Sequence, residues 1–314
     1  MPYVSNLEPK YSEAEHSHHE HPHTELPNTG HPGRERHEAA LPHPLIHLDT
    51  VNSTNSYARS LLSGTTAPAH LTTIVTDHQS AGRGRLGRTW VTTAHNALTA
   101  TTLLRLPSPL PHEAPAWCLH AAALAIRDAL APLLRPHGHR VTTKWPNDVL
   151  IDGQRKICGI LAEDLGERDG THYLAVGYGV NIVMDADARP APHATALSLE
   201  GDSDAATSPL ARRDALLATI VDGINSRFTA LHAAQWDPSE SGLHEEAQAH
   251  CVTLGQRVAL PQPHQPSPDT QSAPMEYGRA LALDRSGALI VEREDGTHSL
   301  ITTGDVLLPH EYQP

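Results

Sequence analysis

Hydrophobic and polar positions fall into three textures along this 314-residue chain. Residues 1–44 show no apolar periodicity and no capped helix, and their His/Pro-rich composition predicts a disordered leader. From Leu45 the pattern becomes periodic. Ser53 or Thr54 supplies an N-cap for a helix through Tyr57, Ala58, Leu61 and Leu62. Residues 71–76 form a β-branched run and residues 98–106 a second strand, so the Gly/Arg-rich stretch between them reads as a loop. Residues 115–134 carry Ala and Leu at helical spacing and stop before Pro136, which predicts a buried helix. Strands follow at 140–144, 149–151, 157–165 and 173–183, with turns at Pro146-Asn147-Asp148 and Asp152-Gly153. A second long helical pattern at 209–232 places Ala215, Leu216, Ile220, Ile224 and Phe228 on one face, suited to covering that sheet. Beyond about Glu245 the elements shorten to strands at 257–260, 275–284, 288–293 and 297–301, with hairpin turns at Ser286-Gly287 and Asp295-Gly296. This last texture predicts a small antiparallel barrel, interrupted by a Pro/Gln/Ser-rich insertion at 261–274 that has no reason to be ordered. The pattern therefore divides the chain into a leader (1–44), a mixed-sheet domain (45–245) and a terminal barrel (246–314). The fold class is α+β, a mixed β-sheet with helices packed on one side followed by the barrel.

Composition narrows the partners. Hydrophobic residues make up 39% and charged residues 19%, a globular balance, although 26 prolines and 24 histidines point to some unstructured chain. Cys118, Cys158 and Cys251 are too few and too scattered for a disulfide framework or a C-x-x-C metal site, so a reducing compartment is the simplest setting. No run of about 20 apolar residues stands out and the N-terminus is polar, which predicts a cytoplasmic protein with no membrane partner. A net charge of -13 argues against binding the phosphate backbone of nucleic acids. His16, His18, His19, His21 and His23 could chelate a divalent metal, but a His-rich tract alone is weak evidence of a site.

The most informative stretch runs from Gln79 to Trp90. Gly82, Gly84 and Gly87 permit close backbone approach, while Arg83, Arg85 and Arg88 can fork onto phosphate or carboxylate oxygens, so the loop suits an anion. Trp90 adds a flat face for stacking. A flexible solvated basic loop is the plainer alternative. The spacing is neither G-x-x-x-x-G-K-[ST] nor G-x-G-x-x-G before a helix. The chain has three lysines, of which Lys144 and Lys156 fall in one short segment of an otherwise arginine-based sequence, suggesting positions that need a compact ammonium. Between them, Asn147 and Asp148 offer an amide and a carboxylate at a turn, where Asp148 either meets a ligand or caps its own turn. Gly177 and Gly179 interrupt an apolar strand just before Asn181, as a ligand against the backbone or a β-bulge would require.

In this order, Ser53-Thr54-Asn55, the Gly82 to Trp90 loop, Lys144 to Asp148, Lys156 to Gly159 and Gly177 to Asn181 resemble the biotin protein ligase family. The resemblance extends from about Leu45 to the C-terminus. It implies a class II synthetase-like catalytic domain followed by an SH3-like barrel. It also implies ATP-dependent biotinylation of a lysine on the biotin carboxyl carrier domain of an acyl-CoA carboxylase, through biotinyl-5′-AMP. By the same resemblance Ser53, Thr54, Gln79, Gly82, Arg83, Lys156, Gly159, Gly177 and Gly179 would form the biotin site. Arg85, Arg88, Trp90, Lys144, Asn147 and Asn181 would form the ATP site, with Lys156, Arg85 and Arg88 catalytic and Asp148 placing Mg2+. The glycine loop would act as the lid that keeps water from the adenylate. Tyr178 is bulkier than expected between the two glycines. Some relatives carry a DNA-binding winged helix, for which residues 1–44 are too short and too polar, so no specific DNA partner is expected. A lipoate-protein ligase and a noncatalytic anion-binding module are the rival readings.

Overall fold

Alternating and β-branched runs build a seven-stranded mixed sheet in the computed structural model, which describes residues 43–261 and 275–311. Its strands are β1 (Leu45–Val51), β2 (Thr73–Gln79), β3 (Ala97–Pro107), β4 (Val141–Lys144), β5 (Asp148–Ile151), β6 (Arg155–Arg168) and β7 (Thr171–Asn181). They lie in the order β1-β2-β3-β7-β6-β5-β4; β1 and β2 are parallel and the other neighbours antiparallel. Side chains alternate between faces, so β7 sends Val176, Tyr178 and Val180 into the main core and turns Ala175, Gly177 and Gly179 to the other face.

The main core lies beneath α2 (Ala114–Leu134) and α4 (Pro209–Ala233), whose Leu124, Ile126, Leu130, Leu216, Ile220 and Ile224 are buried. Gly223 lets these helices approach closely, since a methyl there would lie 2.9 Å from Ala125 Cβ. The helices are not confined to this side. The short α1 (Thr54–Leu62) covers the opposite face, where Ala58 packs on Ile74, Leu103 and Ala175 in a second, smaller cluster. Two further short helices, α3 (Ser203–Thr207) and α5 (Leu243–His250), complete the helical layer. Among the described residues one stretch, Ala114–His137, is long and apolar enough to span a bilayer by length and composition, contrary to the reading of the sequence. It is mostly buried, as a core helix is.

The C-terminal strands β8 (Arg257–Pro261), β9 (Met275–Leu283), β10 (Leu289–Arg293) and β11 (His298–Ile301) form an antiparallel sheet in the order β11-β10-β9-β8. The expected barrel is not closed. β8 and β11 stay at opposite edges, and the outer edge of β8 receives a single bridge from Leu307 to Ala259 instead of a strand. The turn between β9 and β10 docks on the larger domain through four ring nitrogens. Trp117 Nε1 donates to Arg285 O (2.7 Å), Trp145 Nε1 and His120 Nε2 meet Gly287 O (3.1 and 3.2 Å), and His244 Nε2 meets Leu283 O (2.9 Å). A carbonyl oxygen only accepts, so both histidines carry a hydrogen on Nε2. Residues 1–42 of the leader and 262–274 of the insertion lie outside the described residues.

Candidate functional site

The site is built on the face that α1 covers, where the sheet loses its side chains. Gly159 and Gly179 are register partners on β6 and β7, and Gly179 and Gly177 face Thr99 and Thr101 of β3. The floor of the cavity is therefore backbone. Its rim comprises Ser53, Thr54 and Asn55 at the start of α1, Gln79 at the end of β2, Lys156 on β6, Asn147 before β5, and Arg83, Gly84, Arg85, Arg88, Thr89 and Trp90 from the loop.

Polar side chains around this floor are tied to one another. Thr54 donates from its backbone N–H and its hydroxyl to Gln79 Oε1 (2.8 and 3.2 Å), and Thr101 Oγ1 lies 2.8 Å from Thr54 Oγ1 and 2.6 Å from Asn55 Oδ1. Asn55 Nδ2 donates to Glu163 Oε2 (2.7 Å) and Leu161 O (3.2 Å). Asn55, Thr101 and Glu163 were not assigned a role from the sequence. Asn55 completes the quoted Ser-Thr-Asn triplet, which was its one local signal, whereas its partners lie 46 and 108 residues away.

The Gly/Arg loop folds as a small hairpin. Trp90 N–H donates to Gly82 O (2.9 Å), Gly84 N–H to Arg88 O (2.7 Å), and Leu86 and Gly87 turn the chain at φ 54° and 74°. Gly82 is required by space, because a methyl there would sit 2.3 Å from Trp90 O. Each arginine meets an oxygen of the protein. Arg83 Nη2 donates to both oxygens of Glu163 (2.8 and 3.1 Å), Arg85 reaches Asn147 Oδ1 (3.4 Å) and Gly304 O (3.2 Å), and Arg88 pairs with Asp305 (2.8 Å). Burial pulls the Arg85 guanidinium below its ordinary pKa; Asp305 and Asp148 oppose that shift and Arg88 adds to it. The Trp90 indole lies on the glycine floor, where methyls on Gly179 and Gly159 would fall 2.3 and 3.3 Å from it, and its buried Nε1 has no hydrogen-bond partner.

The other sequence candidates are arranged around this cavity rather than all within it. Lys156 Nζ lies 2.7 Å from Asp148 Oδ1, close enough for an ion pair though not aligned as a hydrogen bond. Asn147 is anchored by donation to Ile160 O (2.7 Å). Gly82, Lys144, Asp148 and Asn181 do not line the cavity. Lys144 pairs with Glu311 (2.6 Å), and Asn181 donates to Thr195 O (2.9 Å). His193 lies amid this charge cluster and is lowered by burial, with Glu311 opposing that shift and Lys144 and Lys156 reinforcing it. Tyr178 points into the opposite core, its hydroxyl 3.2 Å from Thr102 Oγ1, so its bulk does not enter the slot. Among the described residues no group of three or more His, Cys, Asp or Glu side chains could hold a metal. The buried Asp148 Oδ1 accepts no hydrogen bond, which leaves a carboxylate oxygen of the kind a hard cation takes when its other ligands are phosphate and water oxygens. Taken together, a backbone floor, a polar rim that includes the Lys156 ammonium and further cations on a covering loop suit a polar, anionic small molecule.

Comparison with known proteins gives the same outline. The model of the biotin/lipoate A/B protein ligase family matches residues 48–181, and that of the biotin protein ligase C-terminal domain matches residues 271–308. A biotin--[acetyl-CoA-carboxylase] ligase of Mycobacterium tuberculosis is 29% identical over 262 residues, spanning 83% of this chain and 88% of the relative. Another ligase of that name, from Paracoccus denitrificans, is 40% identical over 164 residues, 52% of this chain and 65% of the relative. In fold, the chain resembles the biotin protein ligase of Aquifex aeolicus solved with biotin and ATP. That likeness has a TM-score of 0.62 at 22% identity and covers 84% of this chain and 98% of the other.

Proposed function

The chain belongs to the biotin protein ligase family, and from that premise we propose that it uses ATP to join biotin to a lysine of a biotin carboxyl carrier domain, through biotinyl-5′-AMP. In the first step a biotin carboxylate oxygen attacks the α-phosphorus of ATP and pyrophosphate leaves. In the second the neutral amine of the acceptor lysine attacks the acyl carbon, AMP leaves, and the nitrogen gives up a proton as the amide forms. Neither step needs a covalent enzyme intermediate, so the protein's contribution is positioning and charge.

The observation that carries this reading is the convergence of Lys156, Arg83 and Arg85 on a cavity with the Gly159/Gly179 floor and the Thr54–Gln79 rim. Ser53, Thr54 and Gln79 hydrogen-bond biotin, Gly159, Gly177 and Gly179 line its slot beside Asn55 and Trp90, and Gly82 and Arg83 close over it. Lys156 holds the biotin carboxylate beside the α-phosphate, and Arg85 and Arg88 neutralise the phosphates. Lys144, Asn147 and Asn181 shape the nucleotide side, whereas Trp90, expected there from the sequence, lies on the glycine floor at the biotin end. Asp148 would hold Mg2+, which would supply a positive charge to screen the phosphates. The catalytic part spans 45–245 and the C-terminal part 246–314. The carrier belongs to an acyl-CoA carboxylase, in keeping with the names of the relatives. A net charge of -13 favours such a protein partner over DNA, and three buried, unpaired cysteines support a cytoplasmic setting.

The test is biotin-dependent exchange of labelled pyrophosphate into ATP, with lipoate in parallel. Exchange with biotin is expected; exchange with lipoate alone would move the protein to the lipoate ligases, and none with either acid would overturn the adenylation reading.

A further inference from the structure

Glu163 stands outside the substrate cavity, yet it joins a buried polar anchor of the site, Asn55, to the loop that covers it. Asn55 is 3% exposed, and Gly177 is needed for it to fit, because a methyl there would lie 2.1 Å from Asn55 Oδ1. With Oδ1 accepting from Thr101 and Nδ2 donating to Leu161 O and Glu163 Oε2, the amide fixes the carboxylate from below. Glu163 in turn accepts twice from Arg83 Nη2. Arg83 lines both the substrate cavity and the neighbouring groove, whereas Glu163 lines the groove alone, so the pair spans the boundary between them. The Arg83 side chain is 45% exposed and the Glu163 side chain 20%, a position where an ordinary ion pair contributes little. Here one partner is already immobilised, which removes much of the side-chain entropy that such a pair loses.

We propose that Glu163, oriented by Asn55, is a positioning residue that holds Arg83, and with it the glycine loop, against the biotin end of the cavity. The inference rests on the ligase reading for its effect on biotin, but its effect on the loop is independent of that reading. The test uses the full-length protein with Glu163→Gln, Glu163→Asp and Arg83→Gln variants. Without ligands, trypsin should cut after Arg85 roughly fivefold faster in Glu163→Gln, the factor expected when about one charge-pair contact is lost. In pyrophosphate exchange the KM for biotin should rise by a similar factor while kcat and the KM for ATP change less than twofold, and Glu163→Asp should recover part of both effects. In an Arg83→Gln background, Glu163→Gln should add nothing to the cleavage rate. The proposal fails if Glu163→Gln leaves cleavage and biotin KM unchanged, or if its effect persists undiminished without Arg83. It also fails if kcat, both KM values and the thermal midpoint deteriorate together. A wild-type protein that exchanges no pyrophosphate would sink the ligase reading instead, while the cleavage cycle would still decide whether Glu163 holds the loop.

Discussion

At Gly177 and Gly179 the absence of a side chain is a spatial requirement, since the nearest atoms to an added methyl belong to Asn55 and Trp90 at 2.1 and 2.3 Å. Against these two glycines, where the sequence suggested a ligand, the structure places two side chains of the protein itself. Asn55 is held by three hydrogen bonds and cannot swing aside cheaply, so Gly177→Ala forces it off its partners. The expected outcome is a rise of about tenfold in the KM for biotin, together with a stability loss of about 1–3 kcal/mol in urea unfolding. Lys156 poses the opposite case, a charge whose value lies in the reaction. Lys156→Ala removes the ammonium proposed to sit between carboxylate and phosphate and should lower kcat/KM for exchange by about 100-fold. An unchanged rate would assign Lys156 to pairing with Asp148 alone.

At the scale of elements, the α2–α4 layer and the sheet meet at a histidine that titrates with folding. His70 precedes β2, packs on Phe228 of α4 with ring centroids 4.4 Å apart, and accepts through Nδ1 from the Arg105 N–H on β3 (3.1 Å). Burial lowers its pKa from 6.5 to about 4, with His43, Arg105 and His232 adding to the shift. The unfolded chain therefore takes up this proton first, so the stability contribution is intact above pH 6.5 and is lost as pH falls from 6.5 towards about 4. His70→Asn retains an acceptor and removes the titration. Urea unfolding at pH 7 and pH 5 should show a smaller loss in the variant than in the wild type, and equal losses would remove His70 from the pH response. The strands and long helices of this layer were legible because their apolar spacing is local. β1 was not, since His47 and Asp49 break its alternation, and its pairing with β2 lies some 28 residues downstream in register, as in Leu45 with Thr73. α5 was missed because few apolar residues mark it, and α1 could not be assigned to its own face because Ala58 and Leu61 read alike under either layer. The site shows the same division. Its loop, lysines and glycines stand in contiguous motifs, whereas the Asn55–Glu163 link exists only once β6 and α1 are brought together.

For the whole molecule, the decisive contacts run between the segment after β11 and the nucleotide side of the cavity. Gly304 O accepts from Arg85, Asp305 pairs with Arg88, and Glu311 pairs with Lys144, so three of the proposed phosphate-side cations are held by the last stretch of described chain. These contacts differ in weight. Arg88 is 58% exposed and its pair is screened, while the Lys144 and Glu311 side chains are 8% and 11% exposed. Removing one member of such a buried pair leaves an uncompensated charge, whereas replacing both by apolar groups of similar size relieves two desolvations at once. Glu311→Gln keeps an acceptor for the Leu308 N–H, which Glu311 Oε2 receives at 2.7 Å, and removes only the charge opposite Lys144. It should therefore cost about 3 kcal/mol in unfolding free energy. Lys144→Met combined with Glu311→Leu should recover most of that stability and yet leave the KM for ATP raised, because the proposed nucleotide cation is gone. Recovery of both stability and ATP affinity would make Lys144 a strut for the C-terminal segment and nothing more. A Glu311→Gln protein as stable as the wild type would show that the segment is held by its Leu307 bridge to Ala259 and the burial of Val306 and Leu308 instead.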